Sequence, residues 1–326
     1  MLEEKLLTLL EARGDNFTPA REIRKSLGIS QVSLLKNFQR LRGLGYQLGF
    51  DPPAGYRLEE RPDLLTSLEV KSGLRASVVG KETHFFKETD STNDVAFSLA
   101  LAGAREGTAV VAEFQRSGRG RLGRRWESPP TGNIYTSLIL RPEISPRQAT
   151  DFTLLAAVSV AQAIRRATGL CPTLRWPNDI LLGRKKVGGI LLEMYQTGGR
   201  LNFLVLGIGI NVNGTEVDFS PSVREQATSL REEGGKVYRR VSLLRALYED
   251  LERDYFLYRE KGLCPLIEQW QRLSRIEGRE VRVSLSEGSY SGLALGLDHK
   301  GGLVMRGKGG GLFSFPSGQV LKLELL

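Results

Sequence analysis

The sequence predicts an α+β protein in three parts: a helical head with a small hairpin, a central antiparallel sheet with helices, and an all-β tail. Three observations predict it. Helical apolar spacing fills the first stretch up to Gly43. In the middle, the strand patterns at 188–195 and 202–212 are joined by a Thr-Gly-Gly turn with no helix between them. Such a connection suits an antiparallel pair, whereas a parallel pair needs a long crossover. From Gly278 onward, short strand patterns alternate with glycines and no helical period occurs, as in a small barrel.

Element by element, Leu2 to Ala12 is apolar on one face. Pro19 opens a second helix at its first turn, running through Ile23 and Leu27 to a stop at Gly28. Ser30 is the N-cap of a third helix carrying Val32, Leu34, Leu35, Phe38 and Leu41, which ends at Gly43. The pieces GYQLGF and GYRL flank a turn made of Asp51, Pro52, Pro53 and Ala54. The predicted central strands are 109–114, 134–140, 188–195 and 202–212. The predicted central helices are 93–104, 151–168 and 243–261, the last capped by Ser242 and stopped by Gly262. Domain boundaries are expected at 1–64, 65–274 and 275–326.

Composition excludes several classes. The 326 residues include 40% hydrophobic and 25% charged side chains, the balance of a folded soluble protein rather than a disordered one. The longest nearly apolar stretch, Phe152 to Ile164, contains Thr153, Ser159 and Gln162 and is too short to span a bilayer. The opening MLEEKLLTLL is acidic where a secretion signal needs a basic lead. Cys171 and Cys264 make no disulfide framework, so a reducing cytoplasm is expected. With His84 and His299 the only histidines, no metal site is expected, and serine–histidine catalysis has just two candidate bases. The 46 Lys and Arg exceed the 37 Asp and Glu by nine, a balance that permits nucleic acid as a partner.

The most informative segment is QRSGRGRLGRRW, Gln115 to Trp126. It interleaves five arginines with Gly118, Gly120 and Gly123 and has no acidic residue. The glycines match the dinucleotide fingerprint, but that motif needs a helix starting within it. Here Pro129 and Pro130 follow, and then a strand pattern. Glycines instead let the backbone close over a ligand, while arginines offer forked donors to phosphate and carboxylate. Ordering a residue costs roughly 1–2 kcal/mol, and a hydrogen bond to a charged group returns about 1.5–3 kcal/mol. Five arginines against about ten glycine-rich residues come close to balance, which predicts a strap that is mobile when empty and ordered over an anion. Equal protease protection with and without ligand would count against it. A solvated basic surface loop is the other reading of this composition.

Three more pieces join the strap: DSTN at 90–93, RWPNDI at 175–180 followed by KKVGGILLE at 185–193, and GIGINVN at 207–213. In this order and spacing the chain resembles the biotin–protein ligase family. With its helical head and β tail it resembles the bifunctional members that also repress biotin operons, over essentially its full length. The resemblance implies a winged helix-turn-helix, a class II synthetase-like sheet and an SH3-like barrel. It implies that Mg-ATP and biotin give biotinyl-5′-AMP, from which a lysine of a biotin carboxyl carrier protein takes the biotin.

Site residues follow from the same resemblance. Ser91, Thr92, Asn93 and Gln115 match positions around biotin, where a ureido ring needs fixed donors and acceptors. Ser91 or Thr92 could equally cap a helix. Lys186 matches the catalytic lysine between biotin's carboxylate and the α-phosphate, a place where a cation lowers the barrier. Arg119, Gly120 and Arg121 match the strap that closes over biotin and the adenylate. Trp126, Asn178, Asp179 and Asn211 match positions near the nucleotide, although Trp126 also reads as a core residue and Asp179 as a loop brace. Arg175 stands where many members have lysine, so a compact ammonium is replaced by a forked guanidinium.

In the head, Gln31, Ser33, Lys36, Asn37 and Arg40 are the polar positions of the candidate recognition helix, and Asn and Gln can pair with adenine. Residues 1–62 contain 10 Lys and Arg against 8 Asp and Glu, and the wing turn has no basic residue. The head therefore also reads as a vestigial or protein-contact module. The resemblance implies operator DNA as a partner and a homodimer through the central sheet when the adenylate is bound. A biotin-responsive regulator with little ligase activity is the alternative from another class. A lipoate ligase, which shares the fold, lacks the GRGR strap.

Overall fold

A computed structural model describes residues 2–130 and 132–326. The chain divides into two compact units, one holding the chain up to Leu64 with Leu68–Gly73, the other Leu65–Ser67 with Leu74–Leu326.

The first unit has helices α1 (Leu2–Glu11), α2 (Ala20–Leu27) and α3 (Gln31–Gly43) and a hairpin of β1 (Gln47–Asp51) and β2 (Gly55–Glu60). Pro19 occupies the N-cap of α2 rather than its first turn, and Gly28 ends the helix at φ 66°, a conformation glycine adopts without a Cβ penalty. Ser30 caps α3 by accepting from the Ser33 amide at 3.1 Å. Leu6, Leu7, Leu10, Ile23, Leu34, Phe38 and Leu41 form the core with Tyr46 and Tyr56 of the hairpin region. A short helix, α4 (Ser67–Lys71), follows.

In the second unit, β3 (Thr83–Phe86), α5 (Thr92–Leu101), β4 (Ala109–Ala112) and β5 (Ile134–Leu140) precede the long helix α6 (Asp151–Thr168). Then come β6 (Thr173–Arg175), β7 (Asp179–Leu182), β8 (Lys185–Thr197) and β9 (Arg200–Ile210). These strands form one seven-stranded sheet in the order β3-β4-β5-β9-β8-β7-β6. It is antiparallel except between β3 and β4, which run parallel because α5 provides the crossover between them. The central sheet is thus mixed, where the sequence suggested an antiparallel one. Every residue of β5 is buried, as expected of a strand covered on both faces.

Two short helices, α7 (Pro221–Arg224) and α8 (Leu230–Gly234), lead to α9 (Arg240–Lys261) and α10 (Cys264–Ser274). Helix α9 begins at Arg240, with Arg239 at its cap and Ser242 inside it, so Ser242 is not the cap. The Arg240 guanidinium is buried against Glu113 at 2.6 Å, a tertiary pairing that draws the helix start forward. Strands β10 (Glu280–Leu285), β11 (Gly288–Leu297), β12 (Leu303–Gly307), β13 (Leu312–Phe315) and β14 (Lys322–Leu325) form an antiparallel sheet ordered β13-β12-β11-β10-β14. Val281, Val283, Ala294, Leu303 and Met305 alternate inward. The Trp176 indole donates to the Gly301 carbonyl at 3.2 Å, joining this sheet to the central one.

Helices α6 and α9 meet where Phe152 packs on Tyr258, and there the Tyr258 hydroxyl donates to Asp151 at 2.7 Å. Burial pushes the Asp151 carboxyl up from 3.8 to about 6, against the lowering effect of the Tyr258 hydrogen bond. A raised folded-state value means stability is fully present below the unfolded value and lost as pH rises through about 6. Asp151→Asn keeps an acceptor for Tyr258 and removes that loss. Chemical denaturation should show it about 1–2 kcal/mol more stable than wild type at pH 8, after allowing for the lost helix-dipole attraction, with no gain near pH 4. An equal gain at both pH values would disprove the assignment.

Candidate active site

A cleft of about 1000 Å³ opens on the second unit. Its walls are the start of α5, the strap, the turn from β6 to β7, the glycine-bearing stretches of β8 and β9, and the C-terminal residues 320–326. Ser91, Thr92, Asn93, Gln115, Arg119, Gly120, Arg121, Trp126, Asn178, Asp179 and Lys186 all line it, so the structure brings together segments far apart in sequence.

At one end lies a buried polar network. Gln115 Oε1 accepts from the Thr92 amide at 2.8 Å and the Thr92 hydroxyl at 3.1 Å, while its Nε2 donates to Ser128 Oγ at 2.9 Å. Ser137 Oγ lies 2.7 Å from Thr92 Oγ1 and 2.6 Å from Asn93 Oδ1. Asn93 Nδ2 in turn donates to Glu193 at 2.7 Å, and Glu193 and Asp94 receive the Arg119 guanidinium at 3.1 and 2.6 Å. Ser91 holds the N-cap position of α5 but makes no side-chain cap bond, so its hydroxyl is free for the cleft. Sequence reading did not assign roles to Ser137, Asp94 and Glu193, although Glu193 closes the KKVGGILLE motif.

The floor is backbone. A Cβ on Gly207 would lie 2.2 Å from Asn93 Oδ1, and one on Gly209 2.6 Å from Trp126 Cε2. Only glycine lets these strands pass so close beneath the cleft residues. Lys186 Nζ lies 5.3 Å from the centre of the Trp126 ring and 2.5 Å from Asp179 Oδ1. Arg175 forks onto Asp179 Oδ2 at 2.7 and 3.1 Å, a contact that a lysine in its place would make as a single point. Burial alone would raise the Asp179 carboxyl, but Lys186 and Arg175 outweigh it and hold it below the usual carboxylate range.

The strap forms a 3₁₀ turn at Arg121–Gly123 and leads into β5, so no helix offers its N-terminus to a dinucleotide. Arg121 donates to the Ser317 and Val320 carbonyls at 2.7 and 3.1 Å and lies 3.4 Å from Asn178 Oδ1. Arg116 turns away to Asp90 and Glu88. Leu122 (φ 59°) and Arg275 (φ 49°) are the non-glycine residues with positive φ among the described residues, and both line the cleft. Both positions with this uncommon backbone therefore border the site.

Charge is concentrated here. The lining contains ten Lys and Arg side chains against Asp179 and Glu324, an excess of eight in a chain whose total excess is nine. Arg125, Arg184, Arg275 and Arg279 have no side-chain hydrogen bond or ion pair among the described residues. The cleft is a focused cationic well suited to phosphates and carboxylates. No group of three or more His, Cys, Asp or Glu side chains able to hold a metal ion occurs among the described residues.

Asn211 is not in this lining. It is buried, with Nδ2 donating to the Thr228 carbonyl at 3.0 Å, so it braces the chain behind the cleft rather than facing it. In the first unit, Gln31, Lys36 and Arg40 are exposed on α3 and Ser33 is half-buried. Asn37 is a correction: it is buried and its amide donates to the Ser33 carbonyl at 2.7 Å, because position 37 falls on the same face as Leu34, Phe38 and Leu41. It is not available to a base.

Residues 85–211 match the profile of the Biotin/lipoate A/B protein ligase family. The chain is 36% identical to the bifunctional ligase/repressor BirA of Bacillus subtilis, covering 93% of this chain and 94% of that protein. It is 30% identical to the bifunctional ligase/repressor BirA of Escherichia coli, covering 94% and 92%. Its structure resembles that of a biotin protein ligase from Aquifex aeolicus in complex with biotin and ATP, with a TM-score of 0.65 and 32% identity over 76% of this chain and 100% of that one.

Proposed function

The chain belongs to the biotin/lipoate A/B protein ligase family, and on that premise we propose that it activates biotin with ATP and transfers it to a lysine of a biotin carboxyl carrier protein. The observation that carries this reading is the meeting, in one cationic cleft, of a buried amide and hydroxyl network with Lys186 on a glycine floor. A neutral polar ring fits the first, and two anions brought together need the second.

In the first step a biotin carboxylate oxygen attacks the α-phosphorus of Mg-ATP. A new O–P bond forms, the bond to the β-phosphate breaks, and pyrophosphate leaves. Magnesium enters as part of the nucleotide substrate. Ser91, Thr92, Asn93 and Gln115 hold the ureido end, with Lys186 between carboxylate and phosphate. Trp126 walls the biotin cleft where it meets the nucleotide, Asn178 and Asp179 flank the nucleotide, and Asn211 acts only by bracing Thr228. In the second step the acceptor lysine's amine attacks the acyl carbon, AMP departs with the electron pair of the C–O bond, and the amine loses a proton. Arg119, Gly120 and Arg121 belong to the strap that shields the mixed anhydride from water.

The head, three helices and a hairpin, serves as a winged helix-turn-helix on operator DNA of biotin genes. The sheet reads as class II synthetase-like and the C-terminal strands as an SH3-like barrel, giving domains of 1–64, 65–274 and 275–326. The adenylate-bound chain pairs with a second copy through the central sheet, which couples biotin supply to repression in the cytoplasm. The test is to incubate the chain with biotin, Mg-ATP and a carrier domain, and separately with DNA from upstream of biotin genes. Biotin on the carrier lysine supports the ligase, and adenylate-dependent retardation of the DNA supports the repressor. An unlabelled carrier rejects the first, and retardation independent of biotin and ATP rejects the coupling.

A further inference from the structure

The solvent face of α3 carries two exposed apolar side chains among polar ones. At 100° per residue, the buried Leu34, Asn37, Phe38 and Leu41 share one side of the helix, and Val32, Lys36 and Gln39 lie diametrically opposite. Val32 is 75% exposed, and Leu35, beside that stripe, is 44% exposed. Two polar side chains of α3 are engaged elsewhere. Asn37 is turned into its own helix, and Arg40 pairs with Glu3 at 3.2 Å. Along the chain, residues 20–43 contain Arg21, Arg24, Lys25, Lys36, Arg40 and Arg42 against Glu22 alone, with Arg40 met by Glu3 of α1 and Glu22 paired with Arg13. The near-neutral count of the whole head conceals this local excess of five.

Exposed apolar side chains flanked by cationic ones match a nucleic-acid groove better than a protein surface. The flanks face phosphates, and the groove floor presents the one apolar group in its code, the thymine C5-methyl. A protein interface of this kind would instead be depleted of lysine at its core.

We propose that Val32, with Leu35 beside it, reads thymine methyl groups in the major groove, so that this chain's operator preference depends on methyl contacts as well as on hydrogen bonds from Gln31, Lys36 and Gln39. The inference rests on the DNA-binding reading above and adds to it which side chains choose the sequence. Both side chains are exposed, so their truncation leaves the core of the head intact.

The test starts with selection of preferred duplexes from a random-sequence pool by the full chain in the presence of biotin and Mg-ATP. Each selected thymine is then replaced by uracil, which deletes the methyl alone. Wild type should lose about 3–10-fold in affinity at one or two thymines of each half-site. In Val32→Ala or Leu35→Ala the uracil penalty at the matching thymine should fall below about 2-fold, while binding to unrelated duplex keeps its salt dependence. Sequence-selective binding with equal uracil penalties in wild type and both variants would overturn the inference and leave the DNA-binding reading standing. Failure to bind any duplex would overturn both.

Discussion

Lys186→Ala is expected to slow formation of the adenylate by about 10²–10³-fold while leaving the fold intact, the loss seen when one preorganised charge is removed from a reacting centre. The fold should survive because Lys186 is not Asp179's sole counter-ion. Arg175 keeps two hydrogen bonds to the same carboxylate, so the substitution strands no buried charge. Pyrophosphate release measures the first step, and transfer from synthetic biotinyl-5′-AMP to a carrier domain measures the second. The deficit should fall mainly on pyrophosphate release, since the two anions repel most as the O–P bond forms. Lys186→Arg should recover little, because a rigid guanidinium fork cannot occupy the point between Trp126 and Asp179 that an ammonium fills. Pyrophosphate release within a few-fold of wild type in Lys186→Ala would remove this residue from the reaction.

The order of helices and strands was legible where it rests on local periodicity, whereas the second compact unit joins the central sheet and the C-terminal strands in one body that the sequence reading had divided. The Ser30 and Gly28 signals at the ends of α2 and α3 are chemical and short-range, so they could be read directly. Helix α10 was not anticipated; it has Pro265 in its first turn, a place where a helix tolerates proline. The parallel pairing of β3 with β4 was hidden because strand direction across a sheet is set by tertiary packing. Asn37 was misread for a different reason. Its polarity suggested solvent, whereas the spacing from Leu34 to Leu41 already placed it on the core face.

Within the cleft, the residues that carry motifs were readable and their partners were not. Arg121 is met by the carbonyls of Ser317 and Val320, and a backbone acceptor leaves no trace in residue identity. The cationic well was likewise diluted in the sequence. The arginines at 175, 184, 275 and 279 come from the end of β6, the β7–β8 turn and the connection between α10 and β10, and only folding collects them into one lining.

The glycine floor makes the second large prediction. Gly209 sits in mid-sheet, paired with Tyr135 of β5 on one side and Gly189 of β8 on the other, so its backbone cannot yield. The opposing wall is also fixed, because the Trp126 amide donates to the Gly118 carbonyl at 2.9 Å and Gly118 itself has no room for a Cβ. The methyl of Gly209→Ala would lie 2.6 Å from Trp126 Cε2, and the indole must move into the cleft. Biotin affinity should fall by about 30-fold or more, roughly 2 kcal/mol, with a stability loss of about 1–2 kcal/mol. The atoms the methyl would strike are Cε2, Nε1 and Cζ2 of the indole, and a phenylalanine lacks the fused second ring that carries Cζ2, which relieves part of the contact. Trp126→Phe in the Gly209→Ala background should therefore restore part of the affinity, a coupling of about 1 kcal/mol between the two sites. Calorimetric titration of biotin into wild type, both single variants and the double variant measures that coupling directly. Strict additivity would show that the methyl acts through some other displacement than that of the indole.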